Sequence, residues 1–196
     1  EIGWNYLNGK IDICVIHLIK PVQKGDSITI TTPFRVKIPS GKFSRLGHVG
    51  QSYQVTQWFP KPAVYDKDGW HPMSYLDQGE FYSEFGNYDV SITLPKNYIL
   101  MATGDLQNEE EIDFLNEKAK LTSRLIKENK LPVRDSFGRK DMSFPKSSLE
   151  KKTLRFVQNN VHDFAWFTDK RYHILKGEVD VNNRKITSWA LFTNNE

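Results

Sequence analysis

Residues 86–105 read GNYDVSITLPKNYILMATGD. Tyr88, Val90, Ile92 and Leu94 alternate with Asp89, Ser91 and Thr93, the period-two pattern of a strand with one face buried. Pro95 ends that run, Tyr98 to Ala102 continues the sheet, and Gly104-Asp105 turns the chain. Short strands separated by short turns predict antiparallel pairing and not βαβ units.

Upstream, residues 10–20 (KIDICVIHLIK) are rich in β-branched side chains and short for a helix, so they predict a strand. Residues 26–32 alternate polar and apolar, and residues 34–38 alternate again after Pro33, predicting two more strands. A glycine-rich loop follows over 42–52, then a short strand from Val55 to Phe59, stopped by Pro60-Lys61-Pro62. Tyr65 to Gly69 reads as a turn. The span from His48 to Pro95 holds ten aromatic residues together with Asp66, Asp68, Asp77, Glu80, Glu84 and Asp89. Packing and polar signals coincide there. It is either the place for a site or an aromatic core with solvated turn acids.

Downstream, residues 108–130 hold no Gly or Pro. Ile112, Leu115, Ala119, Thr122 and Ile126 follow helical spacing, widened by Phe114, Leu121 and Leu125. Glu109 to Glu111 open the segment and Lys127 and Lys130 close it, as the helix dipole favours. This amphipathic insert is either a partner-binding helix or a helix laid over a sheet face. Residues 131–150 form a polar loop. Strands follow over 153–157, 172–181 and 186–192, with a hairpin turn at Asn182-Asn183. The fold class is all-β, mainly antiparallel: a twisted β-sandwich or saddle-like sheet layers with one inserted helix.

Composition narrows the function classes. The chain has 196 residues, 26% charged and 38% hydrophobic, as expected for a globular protein of one domain with a real core or at most two small ones. Its net charge of +3 and scattered lysines give no nucleic-acid footprint. No apolar stretch reaches membrane-spanning length. The single Cys14 excludes an internal disulfide, and its place in IDICVIHLI predicts a buried, inert thiol. The chain starts without Met and stops within an apolar run, TSWALFTNNE. Both ends predict a segment cut from a longer protein.

Few constellations suggest chemistry. The histidines His17, His48, His71, His162 and His173 contain no His-Glu-x-x-His pair. His48, His71 and Asp66 could form a metal site only if the loops bring them together. His162 and Asp163, adjacent on an expected strand, point to opposite faces. Asp77 and Glu80 are either an acid and base for a glycosidase or turn caps. No Gly-x-Ser-x-Gly elbow is present, and Gly47-His-Val-Gly50 lacks the Lys-Ser/Thr of a phosphate loop.

The segments VTQWFPKPAVYDKDGWHP and GEFYSEFGNYDVSITLPKNYILMATGDL together resemble the N-terminal β domain of the gluzincin zinc aminopeptidases, the aminopeptidase N family. The features are Phe59-Pro60 leading to Asp66, the strand Tyr88 to Pro95, and the turn Met101 to Gly104. The later TLRFVQNNVHDFAWFTDKRY is similar to the strand and "DFA" segment that precede the catalytic domain. TTPFRVKIPSGKFSRLGHVG fits a bacterial branch. The resemblance spans nearly the whole chain except the insert at 108–130.

It implies that residues 1–196 are a single non-catalytic domain of a longer, exported (periplasmic or cell-envelope) peptidase. That domain would flank the cleft and pack on the catalytic domain of the same polypeptide. The family's zinc motif and Gly-x-Met-Glu-Asn motif belong to that absent domain, so zinc is expected there and no cofactor here. The resemblance also implies one substrate contact, a Gln or Glu holding the free N-terminus of a peptide. Counting back from Pro60 places it at Gln51, with Gln54 and Gln57 as alternative registers. Thr56 and Gln57 stand where the family often has an Arg. A different reading of the same residues is a free-standing carbohydrate- or protein-binding β-sandwich.

Overall fold

Period-two segments fold here as antiparallel strands. In the computed structural model, which describes residues 2–41, 45–76, 79 and 81–195, strands make up 39% of the chain and one helix 10%. The order among the described residues begins β1 (Gly3–Tyr6), β2 (Cys14–His17), β3 (Gly47–Val49), β4 (Ser52–Val55), β5 (Val64–Asp66) and β6 (Gly69–His71). It continues β7 (Gly86–Pro95), β8 (Ile99–Ala102), β9 (Asp105–Leu106), α1 (Glu109–Lys127), β10 (Lys151–Val161), β11 (Trp166–Asp169), β12 (His173–Val181) and β13 (Arg184–Phe192). Every ladder between these strands is antiparallel. The chain is all-β with one inserted helix, and no described helix is long and apolar enough to cross a membrane.

The chain divides into two compact units, Glu1–Lys37 with Phe59–Phe85, and Ile38–Trp58 with Gly86–Glu196. The first holds two hairpins, β1–β2 and β5–β6. Among the described residues neither has a third strand, the number a sheet needs for independent stability.

The second unit has a three-stranded sheet β7-β10-β9, a four-stranded sheet β3-β4-β11-β8 and the ribbon β12–β13. In β7, Tyr88, Val90, Ile92 and Leu94 turn inward while Asp89, Ser91 and Thr93 stay exposed. The alternation sets the register against β10, with Phe156 opposite Val90 and Leu154 opposite Ile92. On the outer face Arg155 holds Asp89 through two 2.7 Å bonds, and Thr93 and Thr153 share a hydroxyl bond of 2.8 Å. The register shifts between Gln158 and Val161, where Asn160 adopts φ 57°.

Helix α1 lies against β12, the sheet-covering arrangement. Leu115 and Ala119 pack with Ile99 and Ile174 and are ringed by Met101, Leu106, Tyr172, Trp189 and Leu191. Asn108 ties the helix start to the sheet. Its carbonyl accepts from the N–H groups of Glu111 and Ile112. Its side chain accepts from the Arg155 N–H and donates to the Thr153 carbonyl. Gln107 N–H also bonds the Arg155 carbonyl, so the Asn108 amide prolongs the short strand β9 along the edge of β10.

Four expectations from sequence are corrected. Residues 26–32 and 34–38 form no strands: alternation makes a strand only where a neighbour offers a ladder, and these segments have none. The strand expected at 55–59 is β4, ending at Val55, because Gln57 takes a left-handed φ of 51° that breaks the run. Cys14 is exposed, because β2 turns Val15 toward its partly buried face and alternation puts Cys14 and Ile16 on the other. His162 and Asp163 lie in the bend after β10 and not on a strand, so the opposite-face argument does not apply to them. The turn at Asn182-Asn183 forms as expected, with φ of 49° and 60°, the left-handed pair a two-residue hairpin needs.

Candidate functional site

The most concentrated buried charge in the second unit stands where β11 ends. Strand β11 sits between β4 and β8, with Trp166 opposite Val55 and Ala102. Thr168 is buried and donates its hydroxyl to the Ile99 carbonyl at 2.7 Å. The chain then passes through Asp169, Lys170 and Arg171, and all three charges are turned into protein.

Asp169 is fully buried. Its Oδ1 accepts from Arg171 N–H at 2.8 Å and Nε at 3.0 Å, and its Oδ2 from Nη2 at 2.6 Å. Burial pushes this carboxyl upward, but the Arg171 bonds and a further bond from the Ser52 side chain outweigh it and hold the group below its ordinary value. Arg171 also donates from Nη1 to the Met142 carbonyl at 2.9 Å and stacks 3.6 Å from the Phe144 ring centroid.

Lys170 is 7% exposed. Its ammonium donates to Gln51 Oε1, to the Pro145 carbonyl and, at 3.2 Å, to Ser147 Oγ, with the Tyr98 ring centroid 5.1 Å away. A lysine only donates, so this contact fixes Gln51 with its oxygen toward Lys170. The segment 142–147 is thereby pinned by two consecutive cations. Gly50 completes the packing: at φ 58°, a Cβ there would come within 2.8 Å of Phe144.

Gln51 therefore sits in the turn before β4, exposed overall, with its carboxamide oxygen engaged by Lys170. Gln54 lies on β4 opposite Gly47 and Phe167 and is half-buried. Gln57 is half-buried at the left-handed break. Lys170 and its neighbours were not singled out from sequence. Three charges in a row after an apolar strand read as a solvated turn, and only the tertiary packing turns them inward.

The other candidates fall in both units. In the first unit, His71 Nε2 lies 2.7 Å from Asp66 Oδ1 across the β5–β6 hairpin, and Tyr82 donates its hydroxyl to Asp66 Oδ2 at 3.4 Å. The His71 bond, then the Asp68 N–H, hold the Asp66 carboxyl below its ordinary value. His48 belongs to the second unit, where its ring bonds the Gly50 carbonyl at 3.1 Å. Among the described residues, no three His, Cys, Asp or Glu side chains are grouped to hold a metal ion. Asp163 accepts from the Phe164 N–H at 2.8 Å. Asp77 and Glu80 lie outside the described residues.

Comparison with protein-family models, with curated proteins and with solved structures finds no match.

Proposed function

We propose that this chain is the non-catalytic N-terminal β domain of an exported, zinc-dependent aminopeptidase of the aminopeptidase N type. In this reading the catalytic domain of the same polypeptide carries the zinc. The β domain flanks the cleft, and Gln51 helps hold the peptide N-terminus through the second lone pair of its Oε1.

One observation carries the proposal: segments that bear the resemblance, far apart in sequence, meet in the fold. The Tyr88–Pro95 motif makes up all of β7 but its first two residues, and its ladder partner β10 contains the TLRFVQNN segment. Trp58, of the VTQWFP segment, donates its indole N–H at 3.1 Å to the carbonyl of Phe164 in the "DFA" segment. Gly104, which closes the Met-Ala-Thr-Gly turn, has φ 96° and leaves no space for a side chain.

The test compares this chain with the full-length gene product for bound zinc and for release of N-terminal residues from peptides. Zinc and activity confined to the longer protein support the proposal, as does a several-fold rise in KM on Gln51→Ala. Activity in these 196 residues alone sinks it.

A second reading, a carbohydrate-binding module, is favoured by one feature. Tyr65 and Trp70 face each other across the β5–β6 hairpin with ring centroids 5.0 Å apart, and both are largely exposed. Oligosaccharide titration followed by tryptophan fluorescence tests it, and a saturable change lost in Trp70→Ala would support it.

A further inference from the structure

Residues 133–141 form a rigid finger with an aromatic tip. Asp141 N–H bonds the Val133 carbonyl, and the Asn194 side-chain amide donates to both the Val133 and Asp141 carbonyls, closing the base. Arg134 and Lys140 pair across the stem. At the tip, one carboxylate organises the whole turn: Asp135 accepts from the N–H groups of Phe137 and Arg139 and from Arg139 Nε, each at 2.9 Å. Arg134 Nη1 donates to the Gly138 carbonyl at 2.6 Å. With the backbone fixed in this way, Phe137 is left 81% exposed.

The charges around it are sorted. Asp135 is drawn into the tip, and Asp141 is satisfied by the Ser143 N–H and hydroxyl. Arg134, Arg139 and Lys140 are exposed, with the Arg139 guanidinium 5.1 Å from the Phe137 ring centroid. Residues 124–146 contain seven Lys or Arg and three Asp or Glu, a net +4, whereas the whole chain carries +3. The finger and its approaches therefore carry an excess of positive charge, although the finger itself, residues 133–141, is only +1.

We propose that this finger docks on an anionic lipid surface, placing Phe137 in the headgroup–acyl boundary with Arg134, Arg139 and Lys140 among the anionic headgroups. An aromatic residue held out on a stiff turn and collared by cations suits an interface that is apolar below and negative above. A soluble acidic partner would be satisfied by the cations alone, without the projecting ring. One ring and a few cations give weak, reversible, salt-sensitive association.

The test is co-sedimentation of the whole chain with vesicles of phosphatidylcholine alone and of phosphatidylcholine with phosphatidylglycerol. The proposal expects binding only to the second kind, weakened by salt. Lys140→Gln should reduce affinity about fivefold and Phe137→Ser by about tenfold or more, both with unchanged thermal unfolding, since the two side chains are exposed. Phe137→Trp should bind and show a blue-shifted emission on vesicle addition. No binding to the anionic vesicles, or binding that Phe137→Ser leaves intact, overturns the proposal. So does Phe137-dependent binding to an acidic protein or to single-stranded nucleic acid without vesicle binding.

Discussion

Lys152 of β10 reaches the carboxylate of Glu111 in the first turn of α1, Nζ to Oε1 at 2.6 Å, with only 14% and 10% of the two side chains exposed. The same ammonium lies 5.4 Å from the Phe114 ring centroid. The pair fastens the start of the inserted helix to the middle of the sheet. Charges this far from water are stabilising only while both are present.

Removing one partner should therefore cost more than removing both. Glu111→Leu leaves the Lys152 ammonium unpaired and is expected to destabilise by about 3 kcal/mol. The double variant Glu111→Leu/Lys152→Met should recover most of that loss. Urea unfolding of the four proteins measures the coupling, and additive single effects would contradict the account.

Asp169 gives a pH dependence of known sign. Its carboxyl is held below the ordinary 3.8 in the folded chain, so it adds stability in full above that value. The contribution is lost as the pH falls through the lower folded value. Asp169→Asn is expected to cost about 3–5 kcal/mol near neutrality, because the nearly buried Arg171 loses its counter-charge. The variant's stability should also fall less steeply between pH 4 and pH 2, a range set by ordinary carboxylate titration at about pH 4. Parallel slopes for the two proteins would remove Asp169 as the source.

Gly104→Ala should destabilise by about 2 kcal/mol or more. The new Cβ would stand 2.7 Å from the Val157 carbonyl oxygen, and the backbone is left-handed there. Gly177→Ala, at a strand position with nothing nearby, should be neutral or slightly stabilising. Denaturant midpoints of the two variants, compared at equal slope, decide the matter.

Lys170→Met keeps the volume of the side chain and deletes its three donations. Residues 142–147 should then exchange their amide hydrogens faster, while β7 and α1 keep their protection. Hydrogen-exchange mass spectrometry resolves this, and uniform exchange across the unit would mean that Lys170 braces more than the segment it touches.

The second unit was largely legible in the sequence because its elements announce themselves locally. Tyr88 to Leu94 carries its buried face in its own alternation, α1 its apolar stripe and end charges, and Asn182-Asn183 its left-handed turn. Residues 26–38 misled because alternation is necessary for a strand but pairing is supplied from elsewhere. The region around Gln51 was visible only through resemblance. Lys170, 119 positions away, meets it only because β11 pairs with β4. Charge in a sequence says nothing of whether a distant segment will close over it, and for Asp169, Lys170 and Arg171 one does.

The Asn108 side chain extends a two-residue strand and so removes a seam from the molecule. Where a helix simply follows a strand, the two can open independently. Here the first amides of α1 lean on the Asn108 carbonyl while the amide of Arg155 leans on the same residue's side chain. Unwinding the first turn of the helix and peeling β9 from β10 therefore become a single event, and the insert belongs to the same cooperative opening unit as the sheet that carries it.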